Sequence, residues 1–228
     1  MMNLFSSRSP ATKLLLMIML QFIAIHETMA SKSYHIDPLT RGFHSIPLNK
    51  SNLVLQRPYN VPENERYSFI DGVQKLWVLK SDKPHSPTSR TSPRTEIRIH
   101  GYDYSSDVWQ FEGYFYVPHG TKGVSIMQVF GAAKHATTLM LIVNENGALT
   151  YYRTNIVIVP HVYDKWFKLN VIHDVEKTRV RVYINDRLKY EAPGRGGKSH
   201  YFKYGVYSNR DASSCMESRW KKVGIFRK

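Results

Sequence analysis

Four side chains at alternate positions, Arg94, Glu96, Arg98 and His100, hold the densest chemistry in the chain. In an extended segment alternate residues share a face. Two guanidinium groups, a carboxylate and an imidazole would therefore stand together, with Thr95, Ile97 and Ile99 facing the other way. The planar fork of arginine meets a carboxylate with two parallel hydrogen bonds, so this row suits an anion-binding groove, with Glu96 fixing both arginines by pairing between them. The alternative is the solvent face of an edge strand. A second segment has the same character: Tyr201, Lys203, Gly205, Tyr207 and Asn209 share one face, and Phe202, Tyr204 and Val206 the other. A ring beside an ammonium group offers a sugar a plane to lie on and a charge for its carboxylate, and Gly205 leaves room for a ligand or another backbone. The alternative is an outer face carrying aromatic cross-strand pairs. Gln128 stands in the otherwise apolar stretch Val124–Phe130, where its amide needs a partner. A ligand contact and a satisfied buried amide both meet that need.

These rows depend on strands to aim them. Period-two alternation predicts strands at Leu53–Arg57, Tyr67–Leu79, Thr95–His100, Val108–Val117, Val124–Phe130, Thr138–Val143 and Leu149–Arg153. It continues at Trp166–Asp174, Arg179–Ile184, Leu188–Glu191, Tyr201–Tyr207 and Trp220–Phe226. Asn144 to Gly147 and Asn185-Asp186 are hairpin turn signals. Pro84 to Pro93 is a Pro/Ser/Thr-rich loop without apolar content, and Gly194 to Ser199 is a second flexible loop. No window carries a helical stripe. So many short strands without a linker or repeat imply one all-β domain, a sandwich or barrel, from about residue 31 to 228.

The chain has 228 residues, a formal charge of +14 and a single cysteine, Cys215. Internal disulfides are excluded, and Cys215 reads as a small core or loop residue. No His or Cys spacing resembles a metal site, and no cofactor is expected. Arg8 and Lys13, the apolar run Leu14–Ile25, and small residues Thr28 and Ala30 read as a secretory signal peptide over residues 1–30. That run is shorter than the roughly 20 apolar residues a spanning helix needs, so no stable membrane association is expected after cleavage. The cell wall, the extracellular space and the vacuole all begin with such a leader. The charge favours anionic partners. A secreted protein seldom meets nucleic acid, so acidic polysaccharide or small organic acids fit the compartment better, and the chain is expected to act as a monomer. Asn49-Lys50-Ser51 is a glycosylation sequon.

Three segments together resemble the alginate-lyase family of polysaccharide lyases (family 7 type). Arg94-Thr95-Glu96-Ile97-Arg98 is similar to its R-x-E-L-R strand, Gln128-Val129-Phe130 to its Q-I-H strand, and Tyr201 to Asn209 (YFKYGVYSN) to its Y-F-K-x-G-x-Y-x-Q strand. They occur in the family's order over most of the chain beyond the leader. Further stretches, RTEIRIHGYDY from Arg94, IMQVFG from Ile126 and MESRWK from Met216, look like a branch of the same fold, the plant citrate-binding proteins. The resemblance implies a concanavalin A-like β-jelly-roll of two stacked antiparallel sheets with a concave ligand groove. In the lyases it implies β-elimination on a 4-linked uronate chain. Arg94, Arg98 and Gln128 would neutralise the uronate carboxylate, and Tyr201, beside Lys203, would act as base and acid. A tyrosine titrates near pH 10 in water, and nearby cations would help it. One departure stands out: the family's histidine falls at Phe130, which handles no proton. His100 and His135 are the candidate replacements. Three readings follow: a binding protein for citrate, another polycarboxylate or an acidic polysaccharide, with Arg94, Glu96, Arg98, Gln128, Lys203 and Tyr207 holding the ligand; an active lyase; or a wall protein acting through diffuse charge.

Overall fold

The computed structural model describes residues 39–134 and 136–228. The leader read at residues 1–30, the first residues of the expected domain, and His135 lie outside the described residues. The alternation read from the sequence becomes fifteen strands. They are β1 (His44–Ile46), β2 (Leu53–Gln56), β3 (Tyr67–Ile70), β4 (Val73–Leu79), β5 (Arg94–Ile99), β6 (Val108–Tyr116), β7 (Val124–Phe130) and β8 (Thr137–Val143). Then follow β9 (Leu149–Tyr151), β10 (Val157–Val159), β11 (Trp166–Asp174), β12 (Arg179–Ile184), β13 (Arg187–Pro193), β14 (Tyr201–Ser208) and β15 (Cys215–Arg227). Helical structure among the described residues is confined to two single 3-10 turns, Lys50–Asn52 and Glu63–Glu65.

The strands form two antiparallel sheets. One runs β13-β12-β11-β6-β15-β4-β3, with β1 added alongside β15; the other runs β10-β9-β8-β7-β14-β5-β2. Their inner faces enclose a core in which Phe111, Phe115, Tyr204 and Trp220 are fully buried, with Phe202 nearly so. Burying large aromatic area is the main stabilising term for a sandwich without disulfides. Polar bonds also cross the core: Thr95 Oγ1 donates to the Trp77 carbonyl at 2.8 Å, and Ser218 Oγ donates to the Gly205 carbonyl at 2.8 Å. This is the jelly-roll sandwich the sequence implied.

Two boundaries differ from expectation. Tyr67–Leu79 is not one strand but the hairpin β3–β4, because Asp71 and Gly72 take φ of 50° and 75°. Such a left-handed pair closes a two-residue turn. The expected Asn185-Asp186 turn has the same geometry, with φ of 48° and 62°. Cys215 opens β15 and is exposed. None of the described helices is long and apolar enough to cross a membrane.

Candidate ligand-binding site

The register of the seven-stranded sheet assembles the site. β14 lies between β7 and β5, pairing Lys203 with both Gln128 and Arg98, Gly205 with Glu96, Tyr207 with Arg94, and Tyr201 with Phe130. The two rows singled out in the sequence are therefore neighbours on one outer face. The pairing is possible because residue 205 is glycine. Its φ is +134°, and a Cβ there would come within 2.4 Å of the Thr95 carbonyl oxygen and 2.8 Å of Glu96 Cα. Of the two readings of Gly205, close approach of another backbone is the one realised.

Glu96 is the hub. Its carboxylate accepts from Lys203 Nζ at 2.6 Å, from Arg94 Nη1 at 3.3 Å, and from the Gln128 amide. Glu96 is completely buried and Lys203 and Gln128 nearly so. Gln128 is thus a satisfied buried amide. Two expectations need correcting. Glu96 does not hold both arginines: Arg98 pairs instead with Asp103 at 2.5 Å. Nor is Lys203 a free cation reaching for a ligand, since its ammonium is sealed against Glu96. Burial pushes that ammonium down from its ordinary range, against the upward pull of Glu96.

The rim consists of arginine–aromatic stacks. Arg94 lies 4.1 Å from the centroid of the Tyr207 ring, and Arg98 lies 3.9 Å from that of Tyr201. Tyr201 is covered on β7's side by Phe130, stacked at 4.7 Å and 17°. Arg98, Tyr201, Tyr207 and Phe130 remain part-exposed and form the accessible surface. Three cations and two carboxylates leave a surplus positive charge.

As a base, Tyr201 meets opposing influences. Burial raises its hydroxyl above the ordinary value and outweighs the lowering by Arg98. His100 follows the end of β5 and is exposed; its backbone N–H and carbonyl are tied to Asn52, and no side-chain contact links it to Tyr201 among the described residues.

A histidine that strand patterns do not reveal does approach the cluster. His85, in the loop after β4, feels the charges of Arg94, Lys203 and Glu96. It lines a cleft of about 420 Å³ with Leu55, Gln56, Arg57, Tyr59 and Glu63. Past the Tyr207 end of β14 a second hollow of about 230 Å³ is bounded by Thr150, Arg153 and Asn209. No group of three or more potential metal ligands occurs among the described residues.

With this geometry in hand, a family model described as alginate lyase matches residues 46–227. The chain belongs to the alginate lyase family. Within reach of sequence, it is 50% identical to a citrate-binding protein of Hevea brasiliensis over 192 residues, 84% of this chain and 79% of that one. Among solved structures it is similar to the alginate lyase AlgAT5 of polysaccharide lyase family 7, with a TM-score of 0.59 and 17% identity over 76% of this chain and 93% of that one. It is also similar to a family 7 alginate lyase, A1-II′, in complex with a product, with a TM-score of 0.60 and 13% identity over 78% and 96% of the two chains. At such identities the structural likeness establishes the fold. The chain is thus a homologue of a citrate-binding protein on an alginate lyase-like fold.

Proposed function

We propose that this chain is a non-catalytic binding protein for a carboxylate-rich ligand, held on the outer face of the seven-stranded sheet. The observation that supports it most is the surplus positive charge at the part-exposed Arg98 and the buried Arg94, each stacked on a part-exposed tyrosine, with Phe130 covering Tyr201. Arg98 and Arg94 offer the forks for carboxylates, and Tyr201 and Tyr207 the flat surfaces. Glu96, Lys203 and Gln128 act beneath them as a rigid support that fixes where the forks stand. The Hevea relative, named for citrate, supports a polycarboxylate as ligand. The lyase captured with its product supports an acidic oligosaccharide as the other ligand class. The leader read at residues 1–30 would send the chain into the secretory pathway, and so to the wall or the vacuole, as a monomer.

The reading is tested by isothermal titration of the protein with citrate and with oligouronates, beside Arg98→Ala. Saturable binding that weakens about tenfold or more in the variant supports it, the size expected for losing a charge-assisted pair. Equal binding by wild type and variant would leave only diffuse charge. A family reading as an active lyase draws on the retained Arg94, Arg98, Gln128 and Tyr201. It predicts a growing ultraviolet absorbance from unsaturated product when a polyuronate is added, and a flat trace removes it.

A further inference from the structure

An imidazole is absent where the family's Q-I-H strand would carry one, yet another comes to the same face from a different direction. The loop of residues 80–93 between β4 and β5 is tied at three places, once to the segment that follows β2 and twice to the seven-stranded sheet. The Pro84 carbonyl accepts from the Tyr59 N–H at 3.0 Å, Thr91 Oγ1 accepts from Arg94 Nη2 at 2.8 Å, and the Pro93 carbonyl accepts from the Ser208 N–H at 3.0 Å. Pinned in this way, the loop sets His85 in the wall of the cleft between β2's end and the charge cluster. His85 Nδ1 is buried and has no hydrogen-bond partner, and the same is true of Gln56 Oε1 and of Arg94 Nε. Arg57, also in the wall, has its guanidinium held by the carbonyls of Pro58 and Val61 rather than by a carboxylate. Buried polar atoms are almost always paired, and two of these three, His85 Nδ1 and Gln56 Oε1, belong to residues that line the cleft, which points to a polar guest there.

We propose that His85 is a ligand-contacting residue that, together with Arg57, takes one carboxylate of the bound molecule and accepts a proton as it does so. This rests on the carboxylate-binding reading above and extends it to a second anchoring point, outside the Arg98 and Tyr201 stack. Burial, then the cations Arg94 and Lys203, lower the ring's affinity for a proton, and Glu96 pulls the other way. The other charged groups at the cleft are Arg57 and Glu63. A carboxylate entering beside the ring adds a negative charge that favours the imidazolium. Binding therefore tightens as pH falls through the range in which histidine titrates, about pH 8 to 5.

The test is calorimetric titration of the full chain with citrate across that range, for wild type and His85→Gln, in two buffers of different ionisation enthalpy. Citrate itself titrates there, so the difference between the two proteins is the readout. The wild type should take up more protons per citrate than the variant and gain roughly three- to tenfold more affinity toward the acid end, about one charge contact's worth. A melting curve confirms that His85→Gln is folded. In parallel, the His85 ring is followed by NMR in the wild type, where adding citrate should move its titration toward higher pH. If wild type binds citrate but His85→Gln shows the same affinity and proton uptake, or if the His85 resonance ignores citrate, the inference is wrong while the parent reading stands. If wild type binds neither citrate nor an oligouronate, both fall.

Discussion

On the outer face of the eight-stranded sheet, Glu217 sits between Lys75 at 3.2 Å and Arg219 at 2.7 Å. On the outer face of the seven-stranded sheet, Glu96 sits between Lys203 at 2.6 Å and Arg94 at 3.3 Å. Both trios arise from strand alternation, and both place a cation over an aromatic ring: Arg219 over Tyr116 at 5.1 Å, Arg94 over Tyr207 at 4.1 Å. What separates them is water. Lys75 and Arg219 each keep 40% of their side-chain exposure, whereas Lys203 keeps 3% and Glu96 none. A wet trio is screened and contributes little. A dry one has lost its hydration, so each member depends on the others remaining in place. Identical residue types can therefore serve as a solvated surface on one side and as a preorganised support on the other.

The largest effect should come from breaking the dry trio. Glu96→Ala strands the Lys203 ammonium without a partner and should cost about 3–5 kcal/mol in chemical denaturation. Replacing Glu96 by Gln and Lys203 by Met together should recover part of that loss, because the buried ammonium is no longer stranded, while Arg94 still loses its carboxylate. A double variant as unstable as the single one would show that the ion pair itself, not the stranded charge, sets the stability.

Acid tests whether burial matters as much inside the sandwich as on this face. His173 and His200 lie between the sheets with their rings 4.7 Å apart, and the Tyr104 hydroxyl is 3.0 Å from His173 Nδ1. Burial lowers His173 to about 4 from an ordinary 6.5. The unfolded chain thus binds the proton more readily, so stability is whole above about pH 6.5 and declines as pH falls toward 4, by roughly 3 kcal/mol for this group. Denaturation midpoints measured across that interval check the slope, which His173→Asn should flatten.

Gly205→Ala should cost roughly 2–3 kcal/mol, because the new methyl meets the Thr95 carbonyl and the backbone is left-handed there. The same measurement on Gly72→Ala, where nothing lies within 4 Å of the added Cβ, isolates the backbone part. The smallest effect belongs to the wet trio: Glu217→Ala should shift stability by less than about 1 kcal/mol. A loss as large as that of Glu96→Ala would dissolve the contrast between the faces.

Much of this was legible in the sequence, for a physical reason. Strand alternation fixes which side chains share a face, so Arg94, Glu96 and Arg98 form one row and Tyr201, Lys203 and Tyr207 another; that the two rows belong to one site is implied by the family resemblance alone. Alternation does not say what covers a face. Glu96 and Lys203 are dry although they stand on the outer face of the sheet, and nothing in their period announces that burial. His85 was missed because a loop residue has no period. The β3–β4 hairpin is hidden because the strand-like run continues through Asp71-Gly72, and the three-residue β1 and β10 carry no expectation from the sequence.

The bonds from Thr95 to Trp77 and from Ser218 to Gly205 pass directly behind Glu96. They act as rivets between the layers. Were one sheet to shear over the other, both would break, and the hub carboxylate would move with them. The two bonds therefore resist any slip that would displace the charged row. Discrimination between a compact triacid and a long uronate chain falls to what borders the row, so swapping the loop that bears His85 is the natural route to redirecting this scaffold toward other anions.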